Sequence, residues 1–79
     1  MKIVETYSHS RYMIDEKEQT FMRVPGVDAS SLVYDSKPIK YEQMITLRKG
    51  LPMEVLWLDE QGNPKIRRTT MVMSISEVM

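Results

Sequence analysis

Hydrophobic and polar residues alternate with a period of two along most of the chain, which is the pattern of β-strands. The clearest strand covers residues 53–58, MEVLWL, and holds a single charge at Glu54. Both of its faces are apolar, so we expect it to lie centrally, between two neighbouring strands. One face carries Met53, Val55 and Trp57, and the other carries Leu56 and Leu58.

Turn-forming residues at 59–64, DEQGNP, follow this strand directly. Gly62 or Asn63 can adopt a positive φ there, and Pro64 cannot donate a hydrogen bond to a sheet. Residues 65–68 are therefore predicted to run back beside the first strand as its hairpin partner.

The segment 70–76, TMVMSIS, alternates with the same period of two. It is predicted to be a closing strand with one face in solvent. One of its faces carries Met71, Met73 and Ile75, and the other carries Val72 with two serines.

Residues 44–48, MITLR, form another predicted strand, which stops where Gly50 and Pro52 interrupt the chain. Before it, residues 24–43 are expected to form a long irregular connection. One helical turn at 28–32, with Asp28 as its N-cap, is an option within that connection.

Near the start of the chain, residues 11–14 and 20–23 are apolar-rich and flank a polar run at 15–19. This arrangement predicts a hairpin with a five-residue, solvent-exposed loop. The rival interpretation is a short helix over 15–22, but its apolar positions do not recur at helical spacing before Phe21. We therefore expect the hairpin.

Six to seven short strands in 79 residues predict one mostly β domain covering residues 1–79. Such strands close most economically into a small barrel or sandwich, because closure removes exposed strand edges. An SH3-like barrel or sandwich is the expected fold, and an OB-like barrel is the alternative. Since small barrels host unrelated functions, fold alone does not predict function.

Composition narrows the setting of this domain. The chain has no cysteine, which excludes disulfides and thiolate metal sites and favours a cytoplasmic location. No apolar run approaches the roughly 20 residues that cross a bilayer, and the net charge is zero. A core of this size leaves a stability margin of only about 3–5 kcal/mol, so self-association is expected.

The stretch 6–12, TYSHSRY, contains the only histidine in the chain. Catalysis would require a base within hydrogen-bond reach of a nucleophile. In a regular strand Ser8 and Ser10 point away from His9, so no catalytic residue is predicted and the chain is not expected to be an enzyme. Alternation instead places Tyr7, His9 and Arg11 on one face and Tyr12 on the other.

Metal and cofactor sites are not predicted either. One histidine without cysteine does not make a zinc site, and the acidic run at 15–18 lacks the spacing and glycine of a calcium loop. The three glycines are isolated, so none begins a phosphate-binding loop.

Two surfaces are candidates for binding. Exposed tyrosine, methionine and arginine are typical of protein interfaces, and a barrel of this length cannot bury all of its aromatic and methionine residues. The candidate partner-binding residues are Tyr7, His9, Arg11, Tyr12, Met71 and Met73. The alternative is single-stranded nucleic acid, held by cations and stacked on tyrosines. Its candidate residues are Lys65, Arg67 and Arg68, with Tyr7, Tyr12, Tyr34 or Tyr41 as stacking surfaces.

The stretches 50–58, GLPMEVLWL, 62–64, GNP, and 67–72, RRTTMV, together resemble short uncharacterised proteins encoded by bacteriophages of actinobacteria. The resemblance covers about residues 41–76 and carries no catalytic or binding residue onto the chain. It implies an accessory or early phage protein that binds a host or phage protein. We therefore expect a non-enzymatic protein-interaction module without a cofactor, with nucleic-acid binding as the alternative and no membrane partner.

Overall fold

The computed structural model describes residues 1–25 and 36–78. In these residues the regular secondary structure consists of β-strands, as the period of two predicts. The strands are β1 (Lys2–Thr6), β2 (Arg11–Asp15), β3 (Thr20–Val24), β4 (Ile39–Thr46), β5 (Pro52–Leu58) and β6 (Pro64–Glu77).

The six strands form a closed antiparallel barrel in which each strand pairs with the next and β6 returns to β1. The expectation of a small β-barrel is thereby confirmed. Strand β6 is long enough to serve two neighbours. Its first half pairs with β5 from Leu58↔Pro64 to Pro52↔Met71, and its second half pairs with β1 as far as Lys2↔Glu77.

Irregularities in register allow so few strands to curve into a barrel, because a β-bulge bends its strand and increases the local twist. Strand β4 has two shifts against β5, one between Tyr41 and Gln43 and one further along the strand. In the β5–β6 pair the shift falls at Met53, whose backbone N–H donates instead to the Thr69 side-chain oxygen at 3.0 Å. A side chain thus replaces a missing ladder bond.

The core lies inside the barrel, with aromatic rings at its centre. Phe21 packs edge-on against Trp57, with ring centroids 6.4 Å apart, and lies 6.5 Å from the ring of Tyr41. These contacts place Phe21 and Trp57 in the core. The buried apolar residues are Val4, Tyr12, Ile14, Phe21, Tyr41, Met53, Val55, Trp57 and Val72.

Strand β5 pairs with both β4 and β6, as every strand of this closed barrel pairs with two neighbours, but its two faces are not equally buried. Met53, Val55 and Trp57 point into the core, whereas Leu56 is half-buried and Leu58 is 43% exposed. A barrel has one interior, so a strand with two neighbours still exposes its outer face.

Several segment boundaries differ from the predicted ones. Residues 65–68 and 70–76 belong to one continuous strand, β6, because the extra residues at 69–70 are absorbed as a bulge opposite Met53. Residues 39–43 lie in β4 and not in an irregular connection, and β4 ends at Thr46. The option of a helical turn at 28–32 falls outside the described residues.

Both predicted loops are turns fixed by an aspartate. In the β2–β3 turn the Asp15 carboxylate accepts hydrogen bonds from the backbone N–H groups of Lys17 and Glu18, each at 3.1 Å. In the β5–β6 turn Asp59 accepts from the N–H of Asn63 at 2.8 Å, and Gly62 has φ of +83°. Asx bonding of this kind explains why each turn closes without help from the core.

We expect Trp57→Ala to lower the free energy of unfolding by about 3–5 kcal/mol, because it removes the indole against which Phe21 packs and leaves a cavity. Urea unfolding followed by circular dichroism measures the loss. Tyr7→Ala is the control, since it truncates another large aromatic side chain that is exposed and should change stability by less than about 0.5 kcal/mol. Equal stability of the two variants would show that Trp57 is not a core residue.

The turn at Asp59 makes the stability of the fold depend on pH. The N–H of Asn63 is the largest cause that lowers the pKa of the Asp59 carboxyl, followed by the N–H of Gln61, while partial burial opposes them. The folded state therefore favours the ionised form. Its stabilisation is present above the pKa of an unfolded aspartate, about 3.9, and is lost as pH falls through the lower folded pKa. A carboxyl-carbon NMR titration should place the Asp59 midpoint below that of a free aspartate, and a midpoint at or above it would contradict the turn geometry.

Candidate functional site

The TYSHSRY stretch spans the hairpin turn between β1 and β2 and is not one strand, but the predicted alternation of its side chains largely holds. Tyr7, His9 and Arg11 are exposed and Thr6, Ser10 and Tyr12 are buried, while Ser8 departs from the pattern because it is exposed. Strand β1 ends at Thr6 and β2 begins at Arg11. The backbone N–H of His9 donates to the Thr6 carbonyl at 3.0 Å, and the N–H of Thr6 donates to the Ser10 carbonyl at 3.0 Å. This reversal requires a φ of +67° at His9, and His is one of the few residue types besides Gly that are enriched in this region.

The β1–β2 turn is fixed to β6 by hydroxyl groups. The backbone N–H of Ser8 donates to the Thr70 hydroxyl oxygen at 3.1 Å, and the two hydroxyls are 3.1 Å apart. The Thr6 hydroxyl lies 3.2 Å from that of Ser8. In addition, the N–H of Tyr7 donates to the Met71 carbonyl at 2.8 Å. The backbone that presents Tyr7 and His9 is therefore held at several points.

Tyr12 is not a surface residue, which corrects its assignment as a partner contact. Its side chain is 3% exposed and belongs to the core. It stands in register with Arg23, which is also buried and donates through Nη2 to the Ser10 hydroxyl at 2.9 Å. Sequence reasoning missed the buried guanidinium, although the period of two already placed Arg23 on the same face as Phe21.

A shallow depression of about 550 Å³ lies between the turn and β6. Two of its residues are prominently exposed, Tyr7 at 68% and Met73 at 44%. The residues that line it are Glu5, Thr6, Tyr7, His9 and Met73. Three of the residues proposed from the sequence, Tyr7, His9 and Met73, are thus brought together.

Arg11 joins this site through an ion pair. Its Nε lies 3.4 Å from Oε1 of Glu5, the residue opposite it in the β1–β2 ladder. Both side chains are more than half exposed, so the pair contributes less than about 1 kcal/mol to stability. Its main effect is to neutralise the edge of the depression. A second depression, of about 330 Å³, also borders this pair and is lined by Ile3, Glu5, Arg11, Met13, Val24 and Ser76.

The β4–β5 turn reaches the same part of β6 from the opposite side. The N–H of Gly50 donates to the Val72 carbonyl at 2.8 Å, and the N–H of Val72 donates to the Leu51 carbonyl at 2.9 Å. Leu51 and Met71 are both exposed. Leu51 was not predicted as a contact residue, because only the fold brings its turn to β6. We call the exposed residues around this bend of β6 the corner surface: Tyr7, His9, Leu51, Met71 and Met73.

The alternation predicts that Met71, Met73 and Ile75 share one face of β6, but in the structure they do not. The register moves from Thr6↔Val72 to Glu5↔Ser74, so Met73 is the extra residue of a bulge. Beyond it the faces are exchanged, and Ile75 stands opposite the buried residue Val4.

The basic residues of β6 do not form one patch. Lys65 and Arg67 stand in register with Trp57 and Val55, whereas Arg68 stands with Glu54 on the other face. Lys65 also lies 4.0 Å from the Asp59 carboxylate. Of the tyrosines offered for base stacking, Tyr12 and Tyr41 are buried, and Tyr34 lies outside the described residues.

In residues 1–25 and 36–78 no three His, Cys, Asp or Glu side chains are grouped so that they could hold a metal ion. Over the same residues, no helix is long and apolar enough to cross a membrane. Comparison with protein-family models, with curated proteins and with solved structures gives no match.

The positive φ of His9 allows the effect of the backbone conformation on stability to be measured separately from that of the imidazole side chain. His9→Gly should leave stability within about 0.5 kcal/mol, because glycine adopts positive φ without strain but loses more entropy on folding. His9→Val should lose about 1–2 kcal/mol, since a β-branched residue is strained at this φ. Thermal unfolding of the parent and both variants measures their relative stabilities. A His9→Val variant as stable as the parent would contradict the turn conformation.

Proposed function

We propose that this protein is a non-enzymatic interaction module that binds another protein through the corner surface and also associates with itself. The observation that supports this most directly is the exposure of Tyr7 and Met73 side by side at the depression on β6. Tyrosine and methionine are enriched in the buried centres of protein interfaces. On a small domain, this pair of exposed side chains provides an anchor for a partner.

The rigid backbone around Tyr7 strengthens the proposal. Its N–H is bonded to β6, and Ser8 beside it is held by two threonine hydroxyls. A partner that binds here need not order the turn, so less of the binding free energy is lost to conformational entropy. The flexible thioether of Met73 can adapt to the shape of the partner.

The charge of the corner surface indicates what kind of partner fits. Arg11 and Glu5 neutralise each other at one edge, and the five residues that define the surface include no Asp, Glu, Lys or Arg. Arg48 and Lys49 are exposed in the same turn as Leu51. An apolar protein surface with few charges matches this arrangement. The resemblance to proteins of actinobacterial phages adds the proposal that the partner is a host or phage protein in the host cytoplasm.

Affinity capture followed by mass spectrometry tests this function with matched variants. The parent protein, Tyr7→Ala, His9→Gly and Lys17→Ala are each immobilised and exposed to lysate of an actinobacterial host, with and without phage infection. Lys17→Ala is the control, because Lys17 is exposed in the turn at the other end of β2. A partner captured by the parent and by Lys17→Ala should bind Tyr7→Ala about 30-fold more weakly, as expected for an interface hot spot.

A partner that binds all four proteins equally would exclude the corner surface as its binding site. The nucleic-acid alternative is examined separately, by fluorescence anisotropy with mixed-sequence single-stranded DNA and RNA at low salt. Binding that weakens with salt and is abolished by Arg67→Glu would favour that alternative, because neutralised phosphates release counterions. No binding at tens of micromolar protein would exclude it.

A further inference from the structure

The outer face of the β5–β6 hairpin carries apolar side chains that the barrel does not cover. Leu56 stands in register with Ile66, and Leu58 stands with Pro64. Ile66 is 60% exposed, the highest value for an aliphatic side chain in the described part of the chain. This face lies on the side of β5 opposite to the core residue Trp57.

The same face also carries two opposite charges. Glu54 stands in register with Arg68, two residues from the Leu56↔Ile66 pair along each strand, so all four side chains project to the outside. Within residues 1–25 and 36–78, neither Glu54 nor Arg68 forms an ion pair shorter than 4.0 Å. Both charges are therefore available to a partner.

We infer that a second copy of the chain packs against this face, related to the first by a two-fold axis that runs parallel to the strands between β5 and β6. Such an axis exchanges the positions of the two strands. It places Leu56 of one copy on Ile66 of the second copy, and Glu54 on Arg68 of the second copy. Because the contacts are isologous, each of them occurs twice.

The two-fold axis turns each cross-strand pair into a complementary contact. The apolar pairs remain apolar on apolar, and the charged pair remains opposite on opposite, so no like charges meet. Face-to-face packing of aligned sheets is an ordinary arrangement for β-proteins. An unrelated partner would have to supply this pattern of charge independently, whereas a second copy supplies it by symmetry.

Association of this kind would also compensate for the limited stability that a small core provides. A domain of 79 residues buries a limited share of its surface, and oligomerisation is a common source of additional stability. The inference rests on the self-association part of the proposed function and assigns it to the outer face of the hairpin. This face borders the corner surface at Met71, which stands in register with Pro52, whereas Tyr7 and Met73 are not among its contacts.

The charge pair permits a test by exchange, with mass measured by light scattering over a range of concentrations. Glu54→Arg places arginine opposite Arg68 of the second copy, and Arg68→Glu places glutamate opposite Glu54, so each variant alone should dissociate at least 10-fold more readily than the parent. Mixed together, the two variants should form a heterodimer, because every contact between them is again opposite in charge. The double variant Glu54→Arg/Arg68→Glu should recover the homodimer.

Three further variants make the result specific. Glu54→Arg is also mixed with Lys17→Glu, which has the same net charge as Arg68→Glu but carries its substitution far from this face. Glu54→Arg should associate less well with Lys17→Glu than with Arg68→Glu. Ile66→Glu should be monomeric, while circular dichroism should show it to be folded, since its side chain is largely exposed. Tyr7→Ala should remain dimeric.

The possible outcomes separate the interface from the function. A parent protein that is monomeric at hundreds of micromolar would overturn both this inference and the self-association proposed above, leaving partner capture at the corner surface unaffected. A dimer that persists in Ile66→Glu and in the single charge variants would overturn this interface alone. Heterodimer formation by the two single variants, and not by the Lys17→Glu control, is the result that supports it.

Discussion

The structure depends on one strand being shared by two neighbours. Strand β6 pairs first with β5 and then with β1, and its bend lies near Val72, whose side chain is fully buried. At this point the β4–β5 turn donates to the Val72 carbonyl from one side, and the β1–β2 turn donates to the Met71 carbonyl from the other. The same hydrogen bonds that close the barrel thus also position the corner surface, so the fold and the candidate site have a common origin.

Periodicity and turn chemistry predict most of the strands because each of these signals is local. Asp15 and Asp59 close their turns with their own neighbours, and the alternation of Met53, Val55 and Trp57 follows directly from burial of one strand face. The continuity of β6 could not be predicted in this way. Bulges depend on which residues stand on the adjacent strand, and alternation within one segment carries no information about its neighbour.

The candidate site is less predictable for the same reason. Tyr7 and Tyr12 are the same residue type five positions apart, yet one is exposed and the other buried. An odd separation puts two residues of an alternating segment on opposite faces, so the period of two distinguishes the two tyrosines but does not show which face is the interior. Leu51 contributes to the surface only because its turn is bonded to β6. The sequence identifies residue types that are common in protein interfaces, but which of these residues are exposed depends on the register of the whole barrel.

Closure of the barrel by β1 and β6 has a consequence for how the chain assembles. Lys2 stands opposite Glu77, so the contact that completes the sheet joins the first and the sixth strand, which are far apart in sequence. Pairings of this kind form slowly, because the entropy of closing a long loop is lost before any contact is gained. During synthesis on a ribosome, β1 must wait for the last strand to emerge with its backbone edge open. In that interval, the late segment of a neighbouring nascent chain can compete for the same edge, which makes the yield of correctly closed barrels sensitive to the local concentration of chains.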